Sequence, residues 1–435
     1  MTRGAAAGHE SSTTPASPDD KSAAPGDLRS VLPTPTALLD AGRALASGEP
    51  LRALGLVGRV ESALGLTLRG IAYAQLGDLE LAKQSLERAL SLEDDPLRRA
   101  RARAALVELA LSLGDPAPAA RAARESADEL ARLGDARNAA MQRLVLARAE
   151  VLLGRLGEAR RVVEEVTAME LAPDLRAVAL LAQAEIGIRA IATTAARDAL
   201  TRARRALEEA PHHLLARALL ALEQELSRPI ARVLRGGELR DADLFTIEDV
   251  SRGEVLLVDA CRRLAIGGRV TIPLARRPVL FALLLVLARA WPASVPRDEL
   301  AARAFDVRRV NASHRSRLRV EIGRLRKVMD GLAAEPVATT DGYALESKRE
   351  VVVLLPPSDD EVARIALLLG DGAAWSAQGL AEHAGISKRT AQRALAALVA
   401  SGGAIRTGKG KDLRYTRPGT PIASRMLLLG LVPRT

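Results

Sequence analysis

Between Asn311 and Asp330 the chain carries six cations, Arg315, Arg317, Arg319, Arg324, Arg326 and Lys327, against two acids, Glu321 and Asp330. Projected as a helix, Leu318, Ile322, Leu325 and Met329 share one face, which must be core. The opposite face holds Ser313, Ser316, Val320, Gly323, Arg324 and Lys327. Arg319 and Arg326 flank it on one side, Arg317 and Glu321 on the other. A merely solvated helix mixes its signs in i, i+4 pairs; this one is strongly unbalanced. A helix in a DNA major groove would use these residues naturally. Val320 suits a thymine methyl, Gly323 allows close approach, and Arg324 can make two hydrogen bonds to guanine.

A second basic helix is expected at 388–401. Lys388, Arg389, Gln392 and Arg393 fall outward, while Ala391, Ala394, Leu395 and Leu398 form an inner face. Gly385 supplies a tight turn before it and Ser387 can cap it. Lys409, Lys411 and Arg414 tip the following hairpin and would hold phosphates. Docking a protein is the other use of such a unit.

The remaining chemistry-bearing residues form no catalytic or metal-binding set. Asp94-Asp95 and Asp359-Asp360-Glu361 sit at turns or helix starts, where carboxylates favour the helix dipole. His212-His213 lies at a helix boundary without metal-ligating partners, His383 precedes the turn glycine, and Cys261 sits in a predicted strand with no nearby histidine. A single cysteine excludes a disulfide framework and a cysteine-based zinc or iron–sulfur site. The sequence holds no phosphate-cradling glycine loop and no nucleophile elbow. The expectation is therefore no enzyme, no metal and no cofactor.

These helices need a frame. The chain has 435 residues, enough for two to four domains at ~100–200 residues each. Hydrophobic residues reach 48% but aromatics only 2%, which favours close-packed Leu/Ala helices over β-sandwiches. Residues 1–255 hold 34 basic and 37 acidic residues, net −3; the rest hold 29 and 16, net +13. Only the second half is suited to a polyanion. No apolar run reaches the ~18–20 residues of a membrane helix; the longest, Val279 to Ala288, reads as a buried helix. Residues 1–35 read as a disordered tail, and they lack the apolar core of a secretory signal.

From 36 to 230 the text is helical and repeats. Gly70-x-x-Tyr73, Gly77-Asp78, Ala82, Leu86 and Ala89 describe two antiparallel helices in close contact. The turn recurs as Gly48…Ala53, Gly114…Ala119 and Gly154…Ala159, with an echo at Gly187, Ala199, Ala203, Ala206 and Pro211. A polar, turn-prone linker is expected at 231–254. Short strands follow at 255–259, 263–266 and 269–272, with Gly267-Gly268 as a hairpin turn. Then come helices near 276–290, 297–304 and 311–330, the last capped by Asn311 or Ser313, and a closing hairpin around Asp341-Gly342. A last unit spans 357–420, with helices near 359–369, 377–384 and 388–401, and a tail occupies 421–435.

The helical text resembles the tetratricopeptide repeat, whose stacked pairs make a superhelix. The run Arg317-Leu-Arg-Val-Glu-Ile-Gly-Arg-Leu-Arg-Lys-Val-Met329 resembles the recognition helix of the OmpR/PhoB-type winged-helix domain. Val295-Pro-Arg-Asp-Glu-Leu300 and Thr339-Thr340…Gly342-Tyr343 resemble its second-helix opening and its wing. The resemblance covers 255–347. It implies DNA binding, with Arg319, Val320 and Arg324 facing bases and Arg326 facing the backbone. The wing here is short and lacks the family's basic residue, and helical repeats stand where the family carries a phosphorylatable receiver. The stretch Leu380 to Leu395 resembles the winged helix-turn-helix of bacterial repressors.

The expected fold class is mainly α: a TPR-like α-solenoid followed by two winged-helix (α+β) domains, the first spanning 255–350. The expected function is that of a cytoplasmic, bacterial-type transcription regulator that reads duplex DNA. Its site residues would be Ser316, Arg317, Arg319, Val320, Arg324, Arg326 and Lys327, joined by Lys388, Arg389, Gln392, Arg393, Lys409, Lys411 and Arg414. The repeats would dock or sense a protein partner; RNA polymerase contact and a homodimer are further options, and no membrane is expected. The alternative is a non-catalytic scaffold whose repeats and winged helices bind proteins.

Overall fold

The computed structural model describes residues 35–417, apart from 115, 359, 371, 372, 409, 411 and 412. The expected N-terminal tail, Lys409, Lys411 and the stretch 421–435 lie outside the described residues. Among the described residues the chain is mainly helical, with eighteen helices and eleven short strands.

The first half is eleven helices: α1 (Pro35–Ala46), α2 (Pro50–Val57), α3 (Ala63–Leu76), α4 (Leu79–Leu92), α5 (Pro96–Ser112), α6 (Pro116–Arg132), α7 (Ala136–Leu152), α8 (Leu156–Thr167), α9 (Pro173–Arg189), α10 (Thr193–Glu209) and α11 (His213–Ser227). Each packs on the next, and each odd-numbered helix also touches the next odd one. The text explains this layering. In α4, α6, α8 and α10 one stripe of alanines and aliphatic residues is buried, whereas α7 and α9 are buried nearly all round. Gly77 shows how the turns form. It closes α3 with φ of 91°, a left-handed conformation that side chains resist, and Asp78 then caps α4 by accepting from Leu81 N–H. Gly48, Gly114 and Gly154 share that positive φ, and Ala53, Ala82, Ala119 and Ala159 are all buried.

Polar pairs tie successive odd helices together. Arg101 of α5 reaches Asp135, the N-cap of α7, at 2.7 Å, and Gln142 of α7 donates to Glu108 of α5 at 3.1 Å. One step on, Arg137 pairs with Asp174 and Arg148 with Glu185. Partners in all four pairs are 34 to 37 residues apart in sequence. Burial opposes the Glu185 charge, yet Arg148 and Arg189 together hold its carboxyl below the usual range.

The expected linker at 231–254 is instead structured. It forms β1 (Ala231–Arg235), β2 (Glu238–Ala242) and α12 (Leu244–Arg252). The polar text misled because β2 is an edge strand that buries only Ala242. After it come β3 (Val255–Asp259), β4 (Leu264–Gly267) and β5 (Val270–Pro273). The hairpin between β4 and β5 turns at Gly268-Arg269, one residue later than expected, because Gly267 still pairs with Val270. Cys261 sits in the turn after β3 rather than in the strand.

Next come α13 (Pro278–Ala290), β6 (Val295–Pro296), α14 (Arg297–Phe305), α15 (Ala312–Val328), β7 (Ala334–Ala338), β8 (Gly342–Ser347) and β9 (Glu350–Leu355). Strands β6, β8 and β7 make a small antiparallel sheet. The boundary expected at 350 instead falls at the start of a strand. β9 runs parallel to β3 and antiparallel to β1, at the centre of a six-stranded sheet ordered β2-β1-β9-β3-β4-β5. Its five residues Val351–Leu355 are all buried, as a two-faced inner strand requires.

The last unit holds α16 (Glu361–Leu369), α17 (Ala377–Ala384), α18 (Lys388–Ala400), β10 (Ile405–Thr407) and β11 (Arg414–Thr416). Ile365, Leu369, Leu380 and Leu395 form its core. It is docked on both neighbours. Arg417 pairs with Glu225 of α11, and Ala373-Ala374 lies against Gly154 of the repeat half. The Arg263 guanidinium lies against Gly385, and Arg276 approaches Glu382 at 3.6 Å.

Candidate nucleic-acid interface

Helix α15 is built as its sequence dictates. Asn311 caps it by accepting from His314 N–H at 3.0 Å, and His314 Nδ1 accepts from Asn311 N–H in return. Leu318, Ile322, Leu325 and Met329 are buried among Leu283, Leu284 and Leu287 of α13 and Leu300 of α14. That inner face fixes the outer one. Ser316, Arg317, Arg319, Val320, Arg324, Arg326 and Lys327 are all exposed, Val320 at 53%. A Cβ built on Gly323 would meet nothing within 4 Å, so the surface at Gly323 is open.

The cations on this helix are not equivalent. Arg319 and Lys327 form no ion pair or hydrogen bond among the described residues. Arg324 donates from Nη1 to Oε1 of the largely buried Glu321 at 2.8 Å. Its other donors remain outward. Arg317 stacks over the Phe305 ring at 4.6 Å, an orientation that costs a planar guanidinium little. Arg326 donates to the Pro336 carbonyl at 2.7 Å and approaches Glu335 at 3.2 Å, both on β7. Arg315 makes two hydrogen bonds to Asp298, which hold that carboxyl below its usual range. Charge counting treated these residues alike. Phe305, Asp298, Glu335 and the Pro336 carbonyl come from other elements, so helix periodicity could not reveal the restraints.

Strand β7 lies against α15, and the turn that joins it to β8 is held by α14. Arg297, the first residue of α14, donates to the carbonyls of Thr339 and Thr340 at 3.1 and 2.9 Å and so fixes this turn. Gly342 is required there, since a Cβ would sit 1.8 Å from the Val295 carbonyl oxygen. Arg308 and Arg309, in the loop entering α15, are exposed and extend the basic surface. They escaped notice in the sequence because they lie outside the helical period.

In the last unit Ser387 caps α18, and Lys388, Arg389, Gln392 and Arg393 are exposed. None of the four has a hydrogen bond or ion pair among the described residues. Arg414 is only partly exposed and donates to the Leu413 carbonyl.

The lesser candidates behave as structural groups. Asp95 and Asp360 cap α5 and α16. His383 bonds to the Gly379 carbonyl through Nδ1 and sits edge-on to Trp375. His212 caps α11, with its ring against Gly48. No helix among the described residues is long and apolar enough to cross a membrane. No protein-family model matches the chain, and no curated protein matches it in sequence.

Proposed function

We propose that this chain is a DNA-binding transcription regulator whose α15 enters the major groove. The observation that carries the reading is the outward face of α15. It presents exposed Arg319, Val320, Arg324 and Lys327 around open space at Gly323, and it has no aromatic residue. A protein-docking face is ordinarily enriched in aromatics. The order α13, α14, α15 and the β6-β8-β7 sheet supports reading 255–355 as an OmpR/PhoB-type winged helix, with the β7–β8 turn as a short wing. The last unit, three helices and a hairpin, reads as a second winged helix-turn-helix, with Lys388, Arg389, Gln392 and Arg393 toward a phosphate or base. The layered helices α1–α11 read as a TPR-like solenoid that docks a protein partner.

The test is selection of the full chain against a random duplex library. Enrichment of one motif, protected from cleavage at its major-groove edges, supports the reading. Recovery of no preferred sequence, with binding no tighter than to bulk DNA, overturns it.

A further inference from the structure

A cavity of about 600 Å³ lies where the repeat half, the six-stranded sheet and the last unit meet. That volume is typical of a small-molecule site. Its walls are aliphatic: Ile188 of α9, Ile247 of α12, Leu354 of β9, Leu367 of α16 and Leu398 of α18 all face it. Five charged groups also line it, Arg228, Arg262, Arg417, Glu225 and Asp259.

Those charges do not cancel. Arg417 is matched by Glu225. Asp259 is buried and accepts backbone N–H bonds from Cys261 at 2.8 Å and Arg262 at 2.9 Å. The Arg262 guanidinium stands 3.9 Å from that carboxylate, too far for a hydrogen bond. Arg228 has no ion pair or hydrogen bond among the described residues. Three arginines against two acids leave a surplus of positive charge at an otherwise apolar cavity. Burial raises the Asp259 pKa, opposed by Arg262 and the two backbone N–H groups.

We propose that this cavity binds a small amphipathic acid, its aliphatic body against the isoleucines and leucines and its carboxylate held by Arg262 and Arg228. A guanidinium fork matches a carboxylate in shape as well as charge. Because three units share the walls, occupancy would favour one seating of the last unit over others. That consequence rests on the DNA-binding reading; the binding itself does not.

The experiment uses the full chain with decanoate below its micellar concentration, and 1-decanol as the uncharged control. Calorimetry should show saturable one-to-one binding of decanoate, at least tenfold tighter than decanol. Arg262→Gln, at a half-exposed position, should weaken decanoate at least tenfold and leave decanol unchanged. Ala366→Phe, which fills the cavity from α16, should abolish binding, with a ligand-free melt to show that the variant folds. Absence of saturable decanoate binding, equal affinity for decanol, or undiminished binding by Arg262→Gln would each overturn the proposal. None of these readouts involves DNA, so failure here leaves the DNA-binding reading untouched, and the reverse also holds.

Discussion

Glu321 accepts a hydrogen bond from Arg324 at 2.8 Å, and the two side chains differ sharply in exposure, 12% for the carboxylate and 64% for the guanidinium. The acid anchors one edge of the fork and leaves the rest facing outward. A guanidinium oriented in advance loses less entropy when it meets a base.

Arg324→Ala should therefore weaken binding to the preferred site by about 1–3 kcal/mol, the worth of a bidentate guanine contact, with little change on scrambled duplex. Glu321→Gln should give a smaller loss in the same direction, because the amide orients the fork less strongly. Anisotropy titrations on both duplexes check this. Equal loss on the two duplexes would remove Arg324 from base reading.

Arg326 and Lys327 are adjacent but differently engaged. Lys327 has no partner among the described residues, whereas Arg326 is tied to Pro336 and Glu335. Lys327→Ala should lower the salt slope of binding by about 1. Arg326→Ala should change the slope less and cost at most about 1 kcal/mol of stability, since its ion pair is half exposed. Leu325→Ala, fully buried in the α13–α15 core, should cost roughly 2–5 kcal/mol. Thermal melts beside the salt titrations separate the three.

The outer face of α15 was legible because its core face is strictly periodic, and the cap at Ser387 followed from residue type, whereas residue type left Asn311 and Ser313 as equal candidates and the structure uses Asn311. The linker reading failed at Glu238–Ala242, where an exposed edge strand has no inward alternation to reveal it. β9 was missed because Val351-Val-Val-Leu-Leu is a continuous apolar run, which marks burial but not its partners. Its parallel pairing with β3 spans the whole intervening unit. A fragment starting at residue 236 would strip β1 from β9. The restraints on Arg315, Arg317 and Arg326, and the seating of Arg263 on Gly385, are tertiary contacts without a local sequence signal.

His212 should make the repeat half acid-sensitive. Its ring is 4% exposed, its Nδ1 caps α11, and its Nε2 has no partner. Burial lowers its pKa from 6.5 to about 4. The fold thus prefers the neutral ring, so its contribution is complete above pH 6.5 and is lost as pH falls toward 4. The loss should reach about 3 kcal/mol. His212→Asn keeps a capping side chain and removes the titration. Melts at pH 7 and pH 4.5 should show a larger drop for the native chain than for His212→Asn; equal drops would contradict this account of His212.

If α15 holds DNA through its outward cations, counterion release measures that hold. The full chain and the triple variant Arg319→Ala/Arg324→Ala/Lys327→Ala are titrated against one duplex at several salt concentrations. The native chain should bind with affinity falling steeply as salt rises. The variant should bind the duplex more weakly and lose from the slope at least the contact of Lys327, about 0.9 per phosphate, while a cooperative melt shows that it folds. An unchanged slope, or binding by the native chain that is insensitive to salt, would contradict the account.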